Sequence, residues 1–167
     1  MDWRDNRSAM RHAARCATGG RALRIGFHFV AAAILLLTAC GDDRREERLR
    51  AAGPNPSLDA LLQVADADAG ARKFGVCAGC HKASKGAPDF GGPNLYGVFG
   101  QPMGQHSGRF GYTAALVEAG GRWDAPTLDA WIANPRKLVP GTNMQFAGIG
   151  DPLDRADIIA FLKRQSD

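Results

Sequence analysis

A basic footprint is missing from the part of this chain that would fold. The formal net charge is +4 over 167 residues. Residues 1–39 hold six Arg against two Asp, whereas residues 40–167 balance 15 Lys and Arg with 15 Asp and Glu. Phosphate recognition needs clustered cations on the folded surface, so nucleic acid is excluded as a partner. Aromatic residues are scarce at 8%, beside 45% hydrophobic and 23% charged residues. That composition fits a soluble globular domain rather than a disordered or polytopic membrane chain. Internal repeats and low-complexity tracts are absent, and 21 glycines argue against long unbroken helices or a large sheet. Cysteine is limited to Cys16, Cys40, Cys77 and Cys80.

The single long apolar run lies near the N-terminus. Arg4, Arg7, Arg11, Arg15, Arg21 and Arg24 form a basic segment, followed by the 15 residues Ile25 to Ala39. That length suits the apolar core of a signal peptide. As a helix it would reach roughly 22 Å, short of a hydrocarbon core of about 30 Å. The run closes on Leu37-Thr38-Ala39-Cys40-Gly41, which resembles a bacterial lipobox, in which the Cys is lipidated and becomes the mature N-terminus. Two readings stay open, a lipidated Cys40 and an uncleaved anchor. Either one exports the chain to the periplasmic side of a bacterial cell membrane and holds it there. The expected organisation is therefore a signal segment at 1–39, a lipidated Cys and charged linker at 40–57, and a folded domain at 58–167. The stretch from Gly41 to Ser57 mixes four Arg with four acidic residues and ends in Gly53-Pro54-Asn55-Pro56, which cannot continue a helix. Its charged half could be a short solvated helix, though with no apolar face to bury; as a flexible coil the segment would average roughly 20–25 Å from end to end.

The chemistry begins at Cys77-Ala78-Gly79-Cys80-His81. This C-x-x-C-H spacing lets two thiols add to the two vinyl groups of one haem and sets the next histidine under the iron. A thioredoxin-like redox pair would sit in a βαβ alternation, which is not seen. A structural zinc site would need a second Cys/His pair at finger-like spacing, and none exists. A structural disulfide would leave His81 unexplained. A second axial ligand then has three candidates, Met103, His106 and Met144. Met144 lies 63 residues after His81, in Pro140-Gly141-Thr142-Asn143-Met144, where Pro and Gly impose a turn able to present the thioether. It is the favoured ligand, and a Met opposite a His raises the reduction potential.

From about Asp66 onward the chain resembles the class I c-type cytochromes, the mitochondrial and bacterial soluble carriers. Gly70-x-x-x-Phe74, Gly92-Pro93-Asn94-Leu95-Tyr96-Gly97, Phe99-Gly100, Phe110-Gly111-Tyr112, Trp123, Trp131-Ile132-Ala133-Asn134-Pro135 and Asp157-Ile158-Ile159-Ala160-Phe161-Leu162-Lys163 carry the likeness beside the motifs above. The resemblance implies an all-α fold of four to five short helices around one covalent haem c. It also implies that the Pro93 carbonyl accepts the His81 Nδ1 proton, that Tyr112 and Trp123 contact a haem propionate, and that Thr142 supports the methionine side. Gln101 stands where the family often has Arg, Leu116 where it usually has a buried Asn, and Trp131 where many members have Tyr.

The pattern of residues agrees with such a fold. Asp68 is expected to cap a helix running through Gly70 and Phe74. Asp124 and Pro126 start another helix, which Asn134-Pro135 stops. A short helix is expected over Tyr112 to Ala119. Asp154 to Arg164 forms the last, with Ile158, Phe161 and Leu162 on one face. With both His81 and Met144 on the iron, no position is left for a substrate. The expected function is a one-electron carrier, not an enzyme, in a respiratory or photosynthetic chain at the membrane surface. Its partners, by resemblance, are a quinol–cytochrome c reductase and a terminal oxidase. Lys82, Lys85, Arg136 and Lys137 would favour acidic docking faces. The alternative is a haem peroxidase or ligand-binding sensor with a displaceable Met144.

Overall fold

The computed structural model describes residues 43–166. The expected signal segment, Cys16 and Cys40 lie outside the described residues. Within them the protein is helical, with a lone antiparallel bridge between Pro102 and Arg122 and no strands. Seven α-helices occur in order: α1 Asp43–Ala52, α2 Leu58–Gln63, α3 Ala67–Lys73, α4 Ala114–Ala119, α5 Ala125–Ala133, α6 Pro135–Leu138 and α7 Pro152–Arg164. A 3-10 turn at Phe74–Val76 extends α3 toward Cys77.

Helix boundaries follow local chemistry. Asp124 caps α5 through the Thr127 N–H at 2.9 Å, with Pro126 in the first turn. Asn134 ends α5 in extended backbone and caps α6 through Lys137 N at 2.9 Å, so the expected stop doubles as a start. The cap of α3 is two residues earlier than expected. Asp66, not Asp68, accepts the N–H groups of Asp68 and Ala69 at 2.8 and 3.2 Å. Asp68 is instead in the first turn and takes Arg164 at 2.8 Å. Asp151 similarly caps α7, which therefore begins at Pro152 rather than Asp154. Thr113 caps α4 through Leu116, so that helix is shorter than the expected Tyr112 to Ala119.

α3 crosses α7 at very close range. A Cβ on Gly70 would fall 1.9 Å from the Asp157 carbonyl oxygen and 2.9 Å from Phe161 Cβ. Phe74 then packs on Phe161 with ring centroids 5.2 Å apart. The principal core joins these residues to Val98, Leu116, Trp123, Leu128, Ile132, Ile158 and Leu162. Trp123 and Trp131 meet edge to face at 5.2 Å.

The segment expected to be a flexible coil contains α1, and α1 is docked. Leu49 and Ala52 pack on a small second cluster made by Leu61, Leu153 and Ala156. On the same helix, Arg48 donates to both carboxylate oxygens of Asp157 at 2.6 and 3.2 Å. Asp157 is completely buried and also accepts the Asp66 N–H at 2.8 Å. Arg45 reaches Asp151 and, at 2.7 Å, Asp154; Lys73 joins Asp154 at 2.8 Å. Glu and Arg are good helix formers, and this acidic face of α7 supplies the partners that a linker by itself lacks.

Removing one partner of a buried ion pair strands the other charge. Arg48→Ala is expected to lower unfolding stability by about 3 kcal/mol. Arg164→Ala, whose pair with Asp68 is largely exposed, should cost under about 1 kcal/mol. Denaturant titration of the two variants checks the contrast. Hydrogen bonding to Ala69 N–H holds the Asp66 carboxyl below its ordinary range, and bonds to Thr127 do the same for Asp124. Depressed folded values contribute stability above the unfolded pKa of about 3.9 and lose it below. Stability should therefore hold on acidification to about pH 4 and then fall, with a smaller fall in Asp66→Asn.

Candidate cofactor site

The C-x-x-C-H segment folds back on itself as a helical turn. Cys77 N bonds Phe74 O at 2.8 Å, and His81 N bonds Cys77 O at 2.9 Å. Cys77 is partly buried and Cys80 exposed, both as free thiols. Burial pushes the Cys77 thiol up to about 11, which favours the protonated thiol over the thiolate near neutral pH.

His81 is oriented from behind. Its Nδ1 donates to the Pro93 carbonyl at 2.8 Å, the bond that the sequence resemblance implies. A proton on Nδ1 leaves Nε2 with its lone pair for a metal and makes the ring a better donor. The loop that carries Pro93 is itself stapled: Gly92 N donates to Cys80 O at 2.8 Å and Leu95 N to Lys82 O at 2.7 Å. Asn94 ties it to Ser84 O and Ala87 O at 2.9 and 3.0 Å. Gly92 has no room for a side chain, because a Cβ there would stand 2.4 Å from His81 Cε1. That constraint was not read from the sequence, although the Gly-Pro pair was.

Both His81 and Met144 line one cavity of about 300 Å³. Met144 sits in the loop after α6, where its N–H donates to Thr142 Oγ1 at 3.3 Å. Cys77, Cys80, Pro93, Tyr112, Trp123 and Thr142 share the same lining. Of the other two ligand candidates, His106 lies on the wall, with Nε2 donating to Tyr96 O at 2.9 Å. Met103 is buried in the core, only 4% exposed, and is not part of the lining. Leu116 and Trp131 also line the cavity, whereas Gln101 is exposed and outside it. Pairs at helical spacing, Leu128 with Ile132 on α5 and Ile158 with Leu162 on α7, complete the wall. Their i, i+4 repetition is the signal that marks them in the sequence.

The lining holds no Lys, Arg, Asp or Glu. Among the described residues no group of three or more His, Cys, Asp or Glu gathers to hold a bare metal ion. A closed zinc centre therefore has no donor set here. An apolar cavity with one aimed imidazole, one thioether and two thiols does suit a flat, largely apolar macrocycle that brings its own iron. His81 and Met144 would ligate the iron, and Cys77 and Cys80 would form the thioether links.

No protein-family model matches the chain. It is 42% identical over 117 residues to a cytochrome c homolog of Bradyrhizobium diazoefficiens, covering 70% of this chain and 64% of that protein. It is 43% identical over 102 residues to cytochrome c of Gossypium barbadense, covering 60% of this chain and 91% of the relative. Among solved structures, cytochrome cH from Methylobacterium extorquens matches with a TM-score of 0.56 and 42% identity. That match covers 59% of this chain and 98% of the neighbour.

The space behind His81 gives a direct test. Gly92→Ala should displace the imidazole and destabilise the fold by about 1–3 kcal/mol, as overpacking does. Gly79→Ala, with nothing within 4 Å of its Cβ, should leave stability within about 0.5 kcal/mol. Denaturant titration and haem staining after expression in a host that ligates haem compare the two.

Proposed function

Because the chain belongs to the class I c-type cytochromes, whose cofactor is covalent haem c, we propose that it carries single electrons at a membrane surface. The chain of which it is part would be respiratory or photosynthetic, on the periplasmic side of a bacterial cell. The reading rests on one observation above all, an apolar cavity whose wall includes both His81, aimed by Pro93, and Met144. When bound there, haem supplies an iron that changes between ferrous and ferric states. His81 and Met144 would both ligate that iron and so leave no place on it for substrate, dioxygen or peroxide. With both ligands kept in either state, little reorganisation would accompany electron transfer. Cys77 and Cys80 prevent the cofactor from leaving, and Tyr112, Trp123 and Thr142 contribute polar contacts around it.

Lys82, Lys85, Arg136 and Lys137 are exposed. They support docking on acidic faces of a quinol–cytochrome c reductase and a terminal oxidase, steered by charge and weakened by salt. Membrane attachment through Cys40 or an N-terminal anchor is proposed from the apolar run and its closing motif. No helix among the described residues is long and apolar enough to cross a membrane. Since α1 starts at Asp43 and is pinned by Arg45 and Arg48, only Gly41 and Asp42 separate it from Cys40. The attached domain would then be held close to the bilayer rather than swinging on a 17-residue coil.

The ferric holoprotein is expected to show the long-wavelength methionine–iron band and to bind cyanide slowly. Met144→Ala should lose the band and bind cyanide at least about tenfold tighter, as an open position allows. Absence of the band in the parent protein, with rapid cyanide or carbon monoxide binding, would favour a peroxidase or sensor. Mass spectrometry of the mature chain reads the haem adduct and whether Cys40 is acylated.

A further inference from the structure

The mouth of the cavity is uncharged, and cations stand one step outside it. Val76, Cys80, Gly91, Asn143 and Gln145 belong to the lining and are exposed, so they mark where the cavity opens. Two large apolar side chains are left in water at this opening, Val76 at 66% and Phe90 at 71% exposure. Phe90 directly precedes Gly91, which stands against the attachment turn: a Cβ on Gly91 would lie 3.4 Å from Cys80 Sγ. A phenyl ring in water forgoes the burial that would stabilise it, and apolar groups grouped at a cavity mark a contact site.

The segment carrying that ring is held in place. Phe90 N donates to Gly92 O at 3.0 Å. Its neighbour Asp89 is taken up by Asn94 N–H at 2.7 Å and Ser107 Oγ at 2.6 Å. The Lys82 ammonium lies over the Phe90 ring, 5.4 Å from its centroid, an attraction that keeps the cation beside the ring. Elsewhere on the rim, Arg136 donates to Gln145 Oε1 at 2.5 Å. An uncharged centre bordered by anchored cations has the anatomy of a protein contact, with an apolar core and a polar rim. A ring already ordered loses little freedom when it is bound.

We propose that Phe90 is the anchor of a docking surface, and that it fits a redox partner presenting an apolar recess bordered by carboxylates. Phe90 enters the recess while Lys82 and Arg136 meet the carboxylates. This rests on the carrier reading above and adds an apolar centre to the acidic face proposed there. A second copy of the chain fits poorly, since it would set the same cations opposite these. Seating Phe90 also brings the Cys80 side of the cavity up to the partner. The two parts of the surface act on different quantities: burial of the ring slows dissociation, and the cations speed encounter.

The test is voltammetry of the full-chain holoprotein on gold carrying either a carboxylate-terminated alkanethiol monolayer or a mixed methyl- and carboxylate-terminated one. The parent should adsorb more tightly to the mixed surface and stay adsorbed there as salt rises. Phe90→Ala should weaken that adsorption about tenfold, the scale of an interface anchor, with no change on the pure carboxylate. Phe90→Leu should recover most of the loss, and both variants should keep the parent's unfolding midpoint. Lys82→Gln should slow adsorption at low salt only. Equal adsorption of the parent and Phe90→Ala on the mixed surface overturns this inference alone. So does a loss, in Phe90→Ala, of binding to phosphatidylglycerol vesicles or of self-association, because the ring would then serve a lipid surface or a second copy. A parent protein without covalent haem, or without the methionine–iron band, overturns the carrier reading and this inference with it.

Discussion

The crossing of α3 over α7 governs the rest of the domain. No side chain fits between the helices at Gly70, where backbone meets the Asp157 carbonyl directly. That contact sets α3 against α7, and the turn holding Cys77, Cys80 and His81 lines the same cavity as Ile158 and Leu162 of α7. The same residue that receives Gly70 on its backbone uses its side chain to gather the N-terminal part of the fold. Asp157 binds Arg48 of α1 and the backbone of Asp66, the cap of α3. A buried carboxylate is tolerable only when paired and hydrogen-bonded, and here both conditions are met by segments that must converge for the crossing to form.

Orientation of the proposed cofactor ligands is a separate matter from their presence. His81 would be a useful ligand because Pro93 defines its tautomer and Gly92, lacking a Cβ, leaves room for its ring. Backbone bonds from Cys80 and Lys82 to that loop transmit the geometry of the attachment turn to the ring. Met144 depends on the α5–α6 break at Asn134-Pro135, which turns the chain back across the cavity. The wall that His81 and Met144 share carries no Lys, Arg, Asp or Glu.

The docked α1 changes the proposed tether from a swinging coil to a short connection. An exposed charged helix contributes little by itself. Its arginines gain their hold from the partly and fully buried carboxylates of α7, and Leu49 and Ala52 add a small apolar contact. Electron transfer at a membrane would then rely less on reach and more on which face the domain presents.

Legibility in the sequence divided along the range of the interactions. Cys77, Cys80, His81 and the Pro-Gly turn before Met144 could be read because their chemistry depends on spacing along the chain. Helix stops and starts at Asp124-Pro126 and Asn134-Pro135 were legible for the same reason, since capping acts within one turn. Asp66 displaced Asp68 as the cap because its backbone is also held by Asp157, 91 residues away. The docking of α1 was invisible because its segment has charges but no partner nearby, and the partner of Arg48 lies 109 residues on. Met103 and His106 looked alike as loop residues; packing buried one in the core and set the other on the cavity wall. Sequence alone thus determined which residues are candidates to attach and ligate a haem, because covalent spacing and turn chemistry are local. Tertiary structure decided which charges are buried, which loop residues reach the cavity and whether the N-terminal segment is free, because burial exists only once distant segments meet.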